Sequence, residues 1–186
     1  MHAKAIHELL ERLSNLMRNE ARRVGATDDL LPIQLEALHY LSLCNRYSDT
    51  PMGLTDYLGQ TKGTVSQSVK VLEKKGFVNK VADQTDKRIT HLQVTKAGRR
   101  LLDSVIPAPI LQSACAPLSE PAQVQIVTSL SILLRALQQA NGLKTFGVCH
   151  TCRHNQTLAD GFWCGLTQEP LSGADIQLIC REHDSS

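Results

Sequence analysis

The chain has 186 residues, of which 42% are hydrophobic but only 4% aromatic. That is room for one medium domain and a small appendage, with helix-on-helix packing favoured over a sandwich or barrel. The net charge of +2 conceals a division: residues 62–100 carry ten basic and three acidic side chains, a local +7 that leaves about −5 for the rest. A basic middle of this kind is a footprint for polyanion binding. No apolar run approaches membrane-spanning length, and Met1-His2-Ala3-Lys4 leads into an amphipathic pattern, not an apolar leader. A cytoplasmic protein with reduced thiols is therefore expected.

Ile6, Leu9, Leu10, Leu13, Leu16 and Met17 recur at helical spacing and predict an amphipathic first helix ending near Val24-Gly25. Asp28 and Asp29 can cap a second helix, with Pro32 in its first turn and Leu35, Leu38 and Leu41 on its apolar face. Asp49-Thr50-Pro51 breaks the chain before a short helix through Leu54, Tyr57 and Leu58, and Gly59-Gln60-Thr61 reads as a tight turn. Thr61 can cap the next helix, in which Val65, Val69 and Leu72 form a core stripe. Lys62, Thr64, Ser66, Gln67 and Lys70 are left on its other faces, and Gly76 ends it after Lys74-Lys75. Two strands are predicted at 77–81 and 89–94, joined by the polar tip 82–88. A helix starting at Thr95 runs through Leu101, Leu102, Val105 and Ile106 until Pro107 and Pro109 stop or bend it. A last long helix after Ser119 carries Val124, Val127, Leu130, Leu134 and Leu137 and stops at Asn141-Gly142.

A short helix, a tight turn, a polar-faced helix and a hairpin with a basic tip make a winged helix-turn-helix. Small polar side chains at the start of the second helix suit base edges and phosphates of the major groove. Lys87 and Arg88 at the tip suit an adjacent minor groove, with Asp86 placed to orient Arg88. Thr64-Val65-Ser66, the run Leu72 to Val78, Asp86-Lys87-Arg88 and the run Leu92 to Gly98 together resemble the MarR family of bacterial transcription regulators. The resemblance spans residues 1–141. It implies a mainly α fold: a winged helix-turn-helix with a two-stranded wing and a helical dimerisation region. It also implies a homodimer on a near-palindromic double-stranded DNA site, usually a repressor, with a small-molecule effector pocket between the DNA-binding and dimer regions. It further implies that Asp86 and Arg88 occupy the wing's characteristic positions; the candidate DNA-binding residues are Thr61, Lys62, Thr64, Ser66, Gln67, Lys70, Asp86, Lys87 and Arg88. Gln67 departs from the family, where many relatives carry arginine, so base preference does not transfer; Pro107 and Pro109 interrupt a helix that is usually long.

Residues 142–186 form a second region, outside the resemblance. Cys149-His150-Thr151-Cys152 can turn two thiolates toward one ion, and Cys164 and Cys180 supply two more. A segment this short has little core of its own, and a bound metal would compensate. Leu166, Leu171, Ile176, Leu178 and Ile179 offer a small apolar shell. A four-cysteine zinc site is expected first, an iron–sulfur cluster second and a metal-free thiol switch third. His183 is a spare candidate ligand, His150 and His154 weaker ones. Cys44 and Cys115 read as ordinary small buried residues.

The expectation is a dimeric DNA-binding regulator with a metal-binding tail, and no nucleophile–base pair or phosphate loop points to an enzyme. The rival is an electron-transfer or thiol-redox protein that uses the Cys-x-x-Cys, although no thioredoxin-like βαβ pattern surrounds it.

Overall fold

The computed structural model describes residues 2–25, 29–140, 142 and 144–184. Along the chain run α1 (Ala3–Gly25), α2 (Pro32–Leu43), α3 (Pro51–Leu58), α4 (Lys62–Lys74), β1 (Val78–Ala82), β2 (Thr90–Val94), α5 (Lys96–Val105), α6 (Pro109–Cys115) and α7 (Glu120–Ala140). The tail adds β3 (Asn155–Leu158), β4 (Gly161–Cys164) and β5 (Glu169–Leu171), with a single 3-10 turn on either side. The protein is mainly helical, and the β1–β2 hairpin is the expected wing.

The core forms around α2, which buries Gln34, Leu35, Ala37, Leu38, Tyr40 and Leu41 and leaves Glu36 and Leu43 exposed. A wide apolar stripe of this kind faces a core. Leu54 of α3, Val65 and Leu72 of α4, Val78 of β1 and Leu92 of β2 close over it, none more than 1% exposed. Each cap is local chemistry. The Thr50, Thr61 and Thr95 hydroxyls accept the backbone N–H groups of Gly53, Thr64 and Gly98 at the starts of α3, α4 and α5. Gly53 has no room for a side chain, because a Cβ would sit 2.2 Å from the Ser48 carbonyl oxygen.

One expectation needs correction, and two elements are additional to the sequence reading. Leu31, not Asp29, precedes α2, and the Gln34 side chain accepts from its N–H at 2.9 Å; Asp29 lies outside the helix with φ 50°, and Asp28 falls outside the described residues. Beyond the proline break the chain forms another helix, α6, with a proline in its first turn, a position where the missing N–H costs nothing. The tail contains a three-stranded antiparallel sheet in the order β3-β4-β5, where the sequence reading assigns no strands. Gly161, at φ 145°, lets Leu158 pair with it across a two-residue turn.

Of the boundary expected between 141 and 146, Asn141 is outside the described residues and Phe146 belongs to the main core. Its ring meets Tyr40 and Tyr57 edge-on at centroid distances of 5.8 and 5.2 Å. Ile179 is clamped between two segments: its N–H donates to Leu43 O at 3.0 Å and its carbonyl accepts from Asn45 N at 2.9 Å, while Val148 pairs on its other side. Residues 144–184 are thus packed onto α2 and α3.

In contrast, α7 buries none of its residues. Leu9, Leu13 and Leu16 on α1 and Val127, Leu130 and Leu134 on α7 are all at least 48% exposed. Among the described residues no helix is long and apolar enough to cross a membrane.

Candidate nucleic-acid interface and cysteine cluster

α4 presents Lys62, Thr64, Ser66, Gln67 and Lys70 to solvent while Val65, Ser68, Val69 and Leu72 anchor it. Thr61 is exposed as well, its hydroxyl committed to the cap. The wing holds its tip in a defined shape. Asp83 accepts from Thr85 N, Thr85 Oγ1 and Asp86 N, each at 2.7 Å. Asp86 takes the Arg88 guanidinium in a two-point grip, Nε to Oδ1 at 2.9 Å and Nη2 to Oδ2 at 2.8 Å. The Arg88 side chain is nonetheless 90% exposed, so the guanidinium is oriented and still available. Lys87 donates to the Asp83 carbonyl at 3.2 Å. The nine residues expected to meet DNA therefore fall on two solvent-facing elements, the start of α4 and the wing tip.

The wing is tied to the rest of the domain by His91, whose Nδ1 lies 2.5 Å from Asp49 and whose Nε2 lies 3.1 Å from Asp83. The sequence offered His91 only as a strand residue. Burial pushes its pKa down, but the hydrogen bonds and charges of the two carboxylates outweigh this and the net direction is up. Asp49 is shifted up by burial against the pull of His91. Asp83 is held well below the usual carboxylate range by the Thr85 hydroxyl, the Asp86 N–H and His91. A histidine with a raised folded pKa contributes stability that is complete below its unfolded value, roughly 6.5, and is lost as pH rises through the folded value. The unfolding midpoint in urea should accordingly fall between about pH 6 and about pH 8, and His91→Gln should flatten that dependence. An unchanged slope in the variant would remove His91 from this role.

A cavity of about 420 Å³ lies between α1, α2 and the α5–α6 junction, lined by Met17, Arg18, Leu35, Glu36, His39 and Leu111 among others. Burial shifts Glu36 up and His39 down, both toward the uncharged form.

The four tail cysteines come together. Cys149, Cys152, Cys164 and Cys180 line one cavity of about 20 Å³, together with Asn45, Tyr47, His154, Asn155, Thr167 and Glu182. All are free thiols. Two N–H groups already point at sulfur: Asn155 Nδ2 to Cys149 Sγ at 3.5 Å and Asp184 N to Cys152 Sγ at 3.4 Å. Burial, and then the neighbouring thiols, push Cys149 up, the direction a bound cation would reverse. Among the described residues no three His, Cys, Asp or Glu side chains stand close enough to hold a single metal ion as they are.

His183 is not on this cavity. Its Nδ1 and Nε2 meet the Thr145 and Thr151 hydroxyls at 3.0 and 2.9 Å, and its ring covers Gly147, where a Cβ would collide at 2.4 Å. Its role here is packing. The His150 Nδ1 faces the Ile176 carbonyl at 3.2 Å, which leaves His154 as the histidine on the cavity. Cys44 is buried, and burial, with Asp49 nearby, pushes its thiol up to about 12, as suits an inert core residue. Cys115 is only half-buried.

Residues 28–89 match the sequence profile of the MarR family. No curated protein gives a significant match. Among solved structures, a mutant of S. aureus MepR bound to an oligodeoxyribonucleotide is similar at 25% identity and a TM-score of 0.50, covering 72% of this chain and 98% of that one. A MarR transcriptional regulator from Methanosarcina mazei Go1 aligns at 19% identity and a TM-score of 0.64, over 74% of this chain and 99% of that one. Streptococcus pneumoniae FabT in complex with DNA aligns at 22% identity and 0.59, over 75% and 99%. Each is matched over nearly its full length while about a quarter of the present chain is left over. The profile match at residues 28–89 and the fold shared with these structures make this part of the chain similar to the winged-helix domain of the MarR family.

Proposed function

We propose that the protein is a sequence-specific DNA-binding transcription regulator that acts as a homodimer on a near-palindromic site, in the manner of a repressor. The observation that carries this reading is the pairing of an exposed polar start of α4 with a wing tip whose Arg88 is held outward by Asp86. The similar MepR structure, at 25% identity, is bound to an oligodeoxyribonucleotide, which supports the same assignment here. The family is one of DNA-binding regulators, not enzymes. The unburied apolar stripes of α1 and α7 are the surfaces a two-fold partner would cover, placing two α4 helices about one DNA turn apart. Sedimentation at micromolar protein is expected to give a dimer; a monomer binding single half-sites would overturn this arrangement. The cavity under α1 suits an amphipathic small-molecule effector that is neutral where it meets Glu36 and His39.

The tail is proposed to hold one metal centre through Cys149, Cys152, Cys164 and Cys180. The donor set fits: four thiols around one cavity, with N–H groups directed at two of the sulfurs. Thiolates in a closed site suit a structural zinc ion. The second reading is an iron–sulfur cluster, which four cysteine thiolates also suit. Metal analysis and the absorption spectrum of anaerobically purified protein decide between them: colourless with zinc, or brown with iron and sulfide. Stoichiometric metal in a Cys149→Ser, Cys164→Ser double variant would contradict the site.

A further inference from the structure

The cysteine cavity has one wall that does not come from the tail. Asn45, in the segment between α2 and α3, lines it and is 1% exposed. Its Oδ1 accepts from Ser48 Oγ at 2.8 Å and from Tyr47 N at 3.2 Å, which settles which way the amide faces. Its Nδ2 is buried and, among the described residues, has no hydrogen-bond partner. Thr167 Oγ1, buried within reach of the Tyr47 hydroxyl, lines the same cavity from the tail side. Buried donors are seldom left unmet, so Asn45 Nδ2 beside four thiols describes a site built to surround an acceptor-rich, anionic group. A thiolate-ligated metal centre is such a group, and N–H donors to its sulfurs tune and hold it.

The segment that carries Asn45 is also the junction of the DNA-binding domain. Ser48 Oγ accepts from Arg181 N at 2.8 Å, next to Cys180 in sequence. The Arg181 side chain reaches Asp56 of α3, its Nε and Nη2 both 2.6 Å from the carboxylate. The Ser48 carbonyl accepts from Tyr40 Oη at 2.8 Å. One residue further, the Asp49 carbonyl accepts from Leu92 N of the wing at 2.6 Å, and its carboxylate holds His91. Arg46, from the other end of the segment, grips Pro170 O at 2.8 Å and Glu169 at 3.3 Å in the tail.

We propose that Asn45 completes the cysteine site from the DNA-binding domain, donating through Nδ2 to the thiolate-bound centre, and that filling the site fixes residues 44–50 and through them α3 and the wing. This rests on the four-cysteine reading above and adds its regulation: occupancy of the tail site is read by the helix-turn-helix. A bound centre favours the docked tail, and the docked tail favours one placement of the α3–α4 unit, so metal affinity and DNA affinity are linked reciprocally.

The test uses full-length protein stripped of metal and then loaded, without oxygen, either with zinc alone or with ferrous and ferric iron and sulfide. Amide hydrogen exchange of residues 44–58 is followed in both states, and uptake is repeated with Asn45→Asp. That change keeps the acceptor used by Tyr47 and Ser48 but turns an oxygen toward the sulfurs. Loading is expected to slow exchange in residues 44–58 about tenfold or more, and Asn45→Asp to lose at least about tenfold in metal affinity against a competing chelator. Wild-type protein that loads stoichiometrically with unchanged exchange in residues 44–58, or Asn45→Asp that loads as wild type does, overturns the coupling and leaves the cysteine site standing. Wild-type protein that takes up neither probe overturns both. The exchange comparison needs no variant, so it stands even if Asn45→Asp fails to fold.

Discussion

Arg88→Ala is expected to weaken binding to a DNA duplex by roughly ten- to a hundredfold while leaving the fold and the oligomeric state intact. The side chain is 90% exposed and contacts the rest of the chain through Asp86 alone, in the contacts described, so its removal leaves the core undisturbed. What is lost is an oriented cation at the tip of the wing. In a narrow minor groove the negative potential is strongest, and a guanidinium held in place by Asp86 reaches it without first being ordered. Each chain also loses one charge contact with DNA, so the salt slope should fall by about 1 per chain. Asp86→Ala should give part of the same loss, because Arg88 remains but is no longer aimed. Fluorescence anisotropy with a duplex selected by the wild type from a random library measures both. Binding by Arg88→Ala equal to wild type across the salt range would remove the wing from the interface.

Phe146→Ala is expected to cost about 3 kcal/mol, or roughly 6–12 °C in Tm. The ring fills the angle between Tyr40 and Tyr57, and only 9% of the residue is exposed. Its backbone sits at φ 48°, a conformation that an L residue holds only when its surroundings enforce it. Truncation leaves a void between α2, α3 and the tail and removes what enforces that turn. The tail should then release from the domain, visible as faster proteolysis beyond residue 144, before the remaining helices unfold. A Tm within about 2 °C of wild type, with the tail still protected, would show that Ile179 and Arg181 hold the tail without the ring.

The winged helix was legible because its signals are local. Val65, Val69 and Leu72 define the buried side of α4 by spacing alone, Thr61 and Thr95 cap where a threonine before an amphipathic run should, and the hairpin is short-range pairing. What was not legible depends on contacts between residues distant in sequence. Ile179 pairs with the end of α2 more than a hundred positions away, and nothing in its neighbours announces that. Leu31 precedes α2 because Gln34 turns back to its N–H, a substitute for the polar cap that Asp28 and Asp29 suggested. The tail sheet did leave a trace: Ala159-Asp160-Gly161 between Thr157-Leu158 and Phe162-Trp163 is a turn signature between two short runs of strand formers. The cysteines themselves were found by type and spacing. Asn45 was not, because an asparagine after a helix ordinarily reads as a cap, and only its burial and the orphaned Nδ2 mark it out. His183 shows the converse, a ligand-type residue at an inviting spacing that is occupied by two threonines.

The central claim is that two copies of this chain grip one duplex through α4 and the wing. Its most direct measurement is the binding of full-length protein to the library-selected duplex at about 50 mM and about 200 mM salt, with the mass of the complex determined alongside. Expected are two chains per duplex, affinity that falls steeply with salt, and a selected sequence with two similar half-sites about one helical turn apart. Failure to enrich any duplex sequence, or one chain bound per duplex with affinity indifferent to salt, would contradict it.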